Sequence, residues 1–198
     1  MREFILRALK AHTSSFNVDN LEDAGKMHIV SRCISNALWV VKGLREDTIM
    51  HVVLEGPKFP PKLISFYGSK LKGFAFDELG ISKFIKYALE KGENLKLNES
   101  LEVFPGIIIS KKSFEQFVRE KSPSSQIIYM HKKGKNIREF KFKENILFVF
   151  GDYIGMPRKT EFYLERFNAE KVSLGKIEYH ASQCITIVQN ELDRKVYI

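Results

Sequence analysis

Three apolar runs in the second half of the chain stop at Met130, Phe150 and Leu174, and turn-like segments follow each, over 130–136, 151–157 and 174–180. An apolar strand that ends in a turn and opens a helix is where open α/β sheets bind their ligands. The last stretch, 172–194, carries the fullest pattern. VSLGKIEYHASQCITIVQNELDR reads as a short strand, a Ser-Leu-Gly turn, a small-residue elbow at Ala181 and Ser182, and a final helix. Dinucleotide-binding folds put their glycine turn after the first strand, so a nucleotide-dependent oxidoreductase fits poorly. Within the final helix, Cys184 follows His180 by four residues, a spacing that lets a thiol and an imidazole meet. A Cys–His nucleophile is geometrically available, although a reactive thiolate needs a cation or a base beside it.

Other chemistries find less support. The chain holds no GxGxxG, no Walker A sequence and no HExxH. Histidines at 12, 28, 51, 131 and 180 show no metal-ligand spacing, and no metal is expected. Two cysteines 151 positions apart, Cys33 and Cys184, make neither a zinc motif nor a disulfide framework, and both are expected reduced. Basic residues gather at Lys132, Lys133, Lys135, Arg138, Lys141 and Lys143, beside the first of the three turns. A second group, Lys58, Lys62, Lys70 and Lys72, surrounds the Gly-Pro-Lys-Phe-Pro-Pro segment. Such clusters default to solvated faces, but the first adjoins a ligand loop, where it suits phosphates. Phe59, Phe66, Tyr67 and Tyr153 are available to stack on splayed bases, though each such residue more often belongs to a core.

The elements that must position these residues follow from periodicity. Strands are predicted over 3–8, 48–54, 63–67, 106–110, 126–130, 146–150 and 171–174. The later ones are unbroken Val, Ile and Phe runs, as in parallel strands buried on both faces. Met27, Val30, Ile34, Leu38 and Val41 recur at helical spacing and predict a helix over 26–42, stopped by Gly43. Further helices are predicted over 78–90, 112–120, 160–167 and 180–195, with 90–101 a polar surface loop. Alternation of this kind predicts an α/β sandwich with a mostly parallel sheet.

At 198 residues the chain suits one domain, 1–198, with a sizeable core. No apolar run is long enough to span a membrane, and the start MREFILRALK is too charged for a signal peptide. The formal charge of +8 favours an anionic partner, nucleic acid first. Together these point to a cytoplasmic basic protein.

Taken in order, several blocks carry a family resemblance. They are Ala11-His12-Thr13-Ser14-Ser15-Phe16-Asn17, Gly25-Lys26-Met27-His28-Ile29-Val30-Ser31-Arg32-Cys33, Val53-Leu54-Glu55-Gly56-Pro57-Lys58-Phe59-Pro60-Pro61-Lys62, Phe150-Gly151-Asp152-Tyr153-Ile154-Gly155-Met156-Pro157, and the 172–194 segment. The set resembles the SPOUT methyltransferases, and within them the archaeal tRNA pseudouridine-54 N1-methyltransferase family. The resemblance runs from about Phe4 to Arg194. It implies an α/β SPOUT-type sheet with helices on both faces and a C-terminal trefoil knot. It also implies S-adenosylmethionine as cofactor, held by Met130, Gly151, Leu174, Gly175 and Cys184, with that cysteine contacting cofactor rather than attacking substrate. The implied reaction is methylation of pseudouridine N1, most simply at position 54 of the TΨC arm of tRNA, by a homodimer. A sister family does the same chemistry on ribosomal RNA. Lys26, Arg32, Lys132, Lys133, Lys135 and Arg138 are the residues we assign to RNA, and His28, Glu55 and Asp152 are unranked candidates for a base. Relatives carry an acidic residue where this chain has His28, and a non-catalytic RNA-binding protein of the same fold is the alternative which that departure raises.

Overall fold

The computed structural model describes residues 1–196, the side chains through 195. Its centre is an eight-stranded sheet. In chain order the elements are β1 (Arg2–Ala8), α1 (Met27–Leu38), β2 (Trp39–Val40), β3 (Gly43–Leu44), β4 (Thr48–Leu54), β5 (Lys62–Tyr67), α2 (Glu78–Lys91), β6 (Ser100–Phe104), β7 (Ile107–Ser110), α3 (Phe114–Lys121), β8 (Gln126–Asn136), β9 (Ile146–Gly151), α4 (Arg158–Arg166), β10 (Glu170–Ser173) and α5 (Ala181–Val196). Across the sheet the strands run β10-β8-β9-β1-β4-β5-β7-β6. The five from β10 to β4 are mutually parallel; β5, β7 and β6 add on antiparallel.

The central strands read as continuous apolar runs because both of their faces are covered. Phe4, Leu6, Met50, Val52, Phe148 and Phe150 face the larger core, under α1, α2 and α5. Ile5, Val53, Leu147 and Val149 face the other, with Phe114, Phe117, Val118 and Leu164 from α3 and α4. Successive residues of a strand point to opposite faces, so each central strand serves both cores. All five parallel strands end at the same edge of the sheet, and the three turns of the sequence pattern lie there.

The structure departs from the sequence expectation in several places. Helix α1 stops at Leu38, four residues short of the predicted end, because Trp39 turns to extended backbone, pairs with Leu44 in a short hairpin and donates its indole N–H to Ala75 O at 2.9 Å. Strand β6 was hidden because most of its residues are exposed at the sheet edge, leaving no apolar alternation to read. Strand β8 extends to Asn136, so 130–136 is not a plain loop. Tyr129 pairs with Lys171 and Lys135 with Val172, which leaves 130–134 bulging from the ladder. At its far end Gly134 lies so close to β10 that a Cβ would sit 2.4 Å from Lys171 C and Val172 N. No helix of the described residues is long and apolar enough to cross a membrane.

Candidate functional site

The bulge 130–134, the turn after β9 and the turn after β10 converge at the carboxyl edge of the sheet around a cavity of about 760 Å³. Met130, Gly151, Leu174, Gly175 and Cys184 all line it. So do His28, Arg32, Lys132 and Asp152. Segments far apart in the chain meet there because β8, β9 and β10 are neighbours in the sheet and α1 and α5 pack on one another.

The turn after β9 is built by Asp152. Its two carboxylate oxygens accept the backbone N–H of Leu9 at 2.8 Å and of Ile154 at 2.9 Å, and its own N–H donates to Arg7 O at 3.1 Å. Burial raises its carboxyl while those two N–H groups pull the other way. Asp152 ties β9 to the end of β1 and shapes the turn. Gly151 is required by the same fold-back: a Cβ there would lie 2.8 Å from Gly155 C and 3.0 Å from Met156 N. In the third turn Gly175 takes φ +121° with nothing near its missing Cβ, so conformation alone selects glycine.

Cys184 shows no catalytic pairing. Its thiol lies 3.6 Å from Tyr179 O, and burial raises its pKa above the usual value. His180 makes its contact through the backbone, donating N–H to Gln183 Oε1 at 3.0 Å. A cysteine kept protonated against a carbonyl is a cavity wall.

Glu55 is not in the cavity. Arg7 grips it with Nε and Nη2, each at 3.0 Å, and reaches Glu115 Oε1 at 2.8 Å and Thr160 Oγ1 at 2.6 Å. Burial raises the Glu55 carboxyl and Arg7 opposes it; both its oxygens are engaged, so it does not serve as a free base. His28 does line the cavity, with Nδ1 3.5 Å from Glu22 Oε2.

The assigned RNA residues divide. Arg32 and Lys132 border the cavity and pair with Glu78 at 2.8 Å and Glu178 at 2.5 Å. Lys133, Lys135 and Arg138 are exposed along the bulge and beyond it, with Arg138 bound to Glu191 at 3.0 Å. Lys26 is half-buried, takes φ 60° before α1 and stacks over Tyr153 at 4.5 Å. Lys62, grouped in the sequence with lysines of a solvated face, is instead fully buried and bonds Gly92 O and Glu93 O just past α2, and Phe66 lies in the core, the commoner place for such a residue.

One wall went unread in the sequence: Tyr129 donates its hydroxyl to Glu161 at 2.8 Å, and His131 Nε2 lies 4.0 Å from the same carboxylate. Burial, then Glu161, pushes the Tyr129 phenol up. No spacing relates a strand tyrosine to an acid in the first turn of α4, so nothing in the sequence announces the pair. Among the described residues no group of three or more His, Cys, Asp or Glu is arranged to hold a metal ion.

Comparison with known proteins agrees with this geometry. The family model described as "Putative SAM-dependent RNA methyltransferase" matches residues 1–197. The chain belongs to that family. Among its curated relatives is a tRNA (pseudouridine(54)-N(1))-methyltransferase of Methanococcus maripaludis strain C6, 41% identical and aligned over 98% of this chain and 99% of its own. A protein of the same name from Methanocaldococcus jannaschii is 37% identical, with 98% of both chains covered. The family fold is also that of Archaeoglobus fulgidus Nep1 bound to S-adenosylhomocysteine, with TM-score 0.59, 13% identity, and 100% and 98% of the two chains covered.

Proposed function

We propose that this chain is an S-adenosylmethionine-dependent methyltransferase acting on N1 of pseudouridine at position 54 in the TΨC arm of tRNA. The observation that carries the reading is the convergence of the three turns on one cavity, in a chain that aligns end to end with relatives of that name. The cavity fits the cofactor chemically. Its volume lies within the roughly 300–1,000 Å³ of small-molecule sites. Met130, Leu174 and Phe150 offer apolar wall, the glycine turns expose backbone N–H and C=O groups, and Glu161 and Glu178 offer carboxylates suited to a cationic ligand. Met130, Gly151, Leu174, Gly175 and Cys184 would hold it, and when bound it supplies an activated methyl group.

The protein's own part is alignment. The Asp152 turn and the Gly134 bulge fix the walls by backbone contacts, and the half-buried Cys184 closes the side toward α5. Lys26, Arg32, Lys132, Lys133, Lys135 and Arg138 would track RNA phosphates beside the extruded base. The reading includes one domain over 1–198, a homodimer across the exposed Tyr153, Ile154, Ile177 and Tyr179 rim, and a cytoplasmic setting. It also includes the C-terminal knot, with α5 drawn beneath 137–145. Lys195 Nζ donating to Ile137 O at 3.3 Å and Phe140 O at 2.8 Å supports that passage.

The test is incubation with labelled S-adenosylmethionine and tRNA carrying pseudouridine or only uridine, followed by nucleoside mass analysis. Uridine's corresponding nitrogen is bonded to ribose and has no proton to lose, so only the pseudouridine tRNA should gain a methyl group at N1. Equal transfer to uridine-only tRNA overturns the reading. Transfer confined to ribosomal RNA fragments moves it to that substrate, and failure to bind cofactor leaves a non-catalytic RNA-binding protein.

A further inference from the structure

We propose that His28, oriented by Glu22, is the group that takes the N1 proton. This rests on the functional reading above, because a pseudouridine N1 must lose a proton as it gains the methyl group. Three side chains were open from the sequence, and the structure separates them. Glu55 lies outside the cavity, gripped by Arg7. Asp152 lines it, yet both carboxylate oxygens accept backbone N–H groups. His28 alone of the three lines the cavity with a side chain that makes no hydrogen bond among the described residues.

Its imidazole stands within ion-pair reach of an acid. The residue stands in the first turn of α1, about one-quarter exposed, with Nδ1 toward Glu22 Oε2 at 3.5 Å. An acceptor carboxylate there favours the proton on Nδ1, which leaves the lone pair on Nε2. Among the described residues no other ion pair reaches the ring. Glu22 is itself placed: its Oε1 lies 3.3 Å from Lys26 Nζ, and the same Nζ sits 4.5 Å over the Tyr153 ring. Tyr153 belongs to the turn built by Asp152; it lines the cavity with the histidine, and the acid stands behind them.

The other cavity imidazoles are less suited. His131 accepts the Lys133 N–H on Nδ1 at 3.1 Å and has Nε2 4.0 Å from Glu161, so both nitrogens face partners. No carboxylate orients His180 among the described residues, and it stands exposed at the elbow before α5. In the proposed step the N1 lone pair forms the bond to the methyl carbon. The methyl–sulfur bond breaks with its electron pair going to sulfur, and the proton on N1 passes to Nε2. Glu22 balances the imidazolium, which returns its proton to water.

The experiment uses the full chain, Glu22→Gln and His28→Ala. ¹⁵N imidazole spectra of the cofactor-free protein should show the His28 proton on Nδ1, and the preference should weaken in Glu22→Gln. Calorimetry with S-adenosylhomocysteine should change by no more than about twofold in either variant. Single-turnover transfer to pseudouridine-bearing tRNA should fall about 100-fold in His28→Ala, and added imidazole should restore part of it. Loss in Glu22→Gln should be smaller, about tenfold. A proton found on Nε2, or His28→Ala at the unmodified rate, overturns the proposal. Should the unmodified chain bind S-adenosylhomocysteine but methylate no RNA, the functional reading fails instead, and the imidazole spectra still report on the Glu22–His28 contact.

Discussion

Cys184 and Gly151 show how little a residue's type says before its neighbours are known. Four residues from His180, the cysteine has the spacing of a nucleophile, yet its thiol sits against a carbonyl and burial raises its pKa. We expect Cys184→Ala to keep single-turnover transfer within about tenfold of the parent, the loss coming from weaker cofactor contact. A fall near the roughly million-fold cost of deleting a nucleophile would reinstate covalent catalysis. Gly151 was legible as the glycine of a turn and it lines the cavity, but the reason for glycine differs from the one its position suggests. Its missing Cβ makes room for the Gly155 and Met156 backbone, not directly for a ligand. Valine there must open the turn, so S-adenosylhomocysteine should bind at least about tenfold more weakly while the chain stays folded. Undiminished binding by calorimetry would detach this turn from the cofactor.

Between elements, one buried polar link lies on the α3 side of the sheet, away from the cavity. His51 on β4 contacts Glu3 on β1 at 2.8 Å through Nε2 and Ser65 on β5 at 2.7 Å through Nδ1, and Lys121 of α3 reaches Glu3 at 2.5 Å. Burial alone would raise the Glu3 carboxyl; the His51 and Lys121 contacts outweigh it and hold it at about 2, against an ordinary 4.5. Burial holds His51 below its ordinary 6.5, so it is neutral in the fold. Both shifts act in one direction, since the unfolded chain binds more protons than the folded one as the solution is acidified. Stability should drop once pH falls below about 6.5 and again from 4.5 toward 2. Glu3 accounts for about 3 kcal/mol of the lower step. Denaturant titrations of the parent and Glu3→Gln should draw together below pH 4.5 and converge as pH approaches 2; a constant gap would remove the link. None of this was readable beforehand, because Glu3 and His51 look like the polar half of alternating strands. What was readable were elements whose burial writes a period: the apolar runs of β1, β4 and β9, and the spacing from Met27 to Leu38. Exposed β6, the bulged end of β8 and the Trp39 hairpin take their shape from partners far along the chain. The site divides likewise: the three turns could be seen, whereas the Tyr129–Glu161 wall and the Glu22–His28 contact exist only once the chain is folded.

For the whole molecule, the charge of +8 sets what RNA binding should look like, but the structure changes how that charge counts. Lys132, Lys135 and Arg138 are each within 4.0 Å of an acid, Glu178, Glu170 and Glu191, while Lys133 has no such partner among the described residues. The Lys132 and Lys135 pairs are exposed, and surface pairs contribute only about 0–1 kcal/mol, so a phosphate can take those cations over; Glu191, the partner of Arg138, is buried. Affinity for tRNA should therefore fall linearly in log salt, with a slope proportional to the phosphates neutralised. Replacing Lys133 by Met should lower the slope by about one. Replacing Lys132, Lys135 and Arg138 as well should lower it by less than one each, because every replacement also frees an acid that repels the backbone. Removing Glu178 and Lys132 together should cost less affinity than removing Lys132 alone. Filter-binding titrations between low and moderate salt measure all of these, and S-adenosylhomocysteine affinity should stay unchanged when Lys133, Lys135 and Arg138 are replaced, since none of the three lines the cavity. An identical slope in the fourfold variant would return this cluster to a solvated face and move the RNA path to the opposite rim of the cavity, near Lys26 and Arg32.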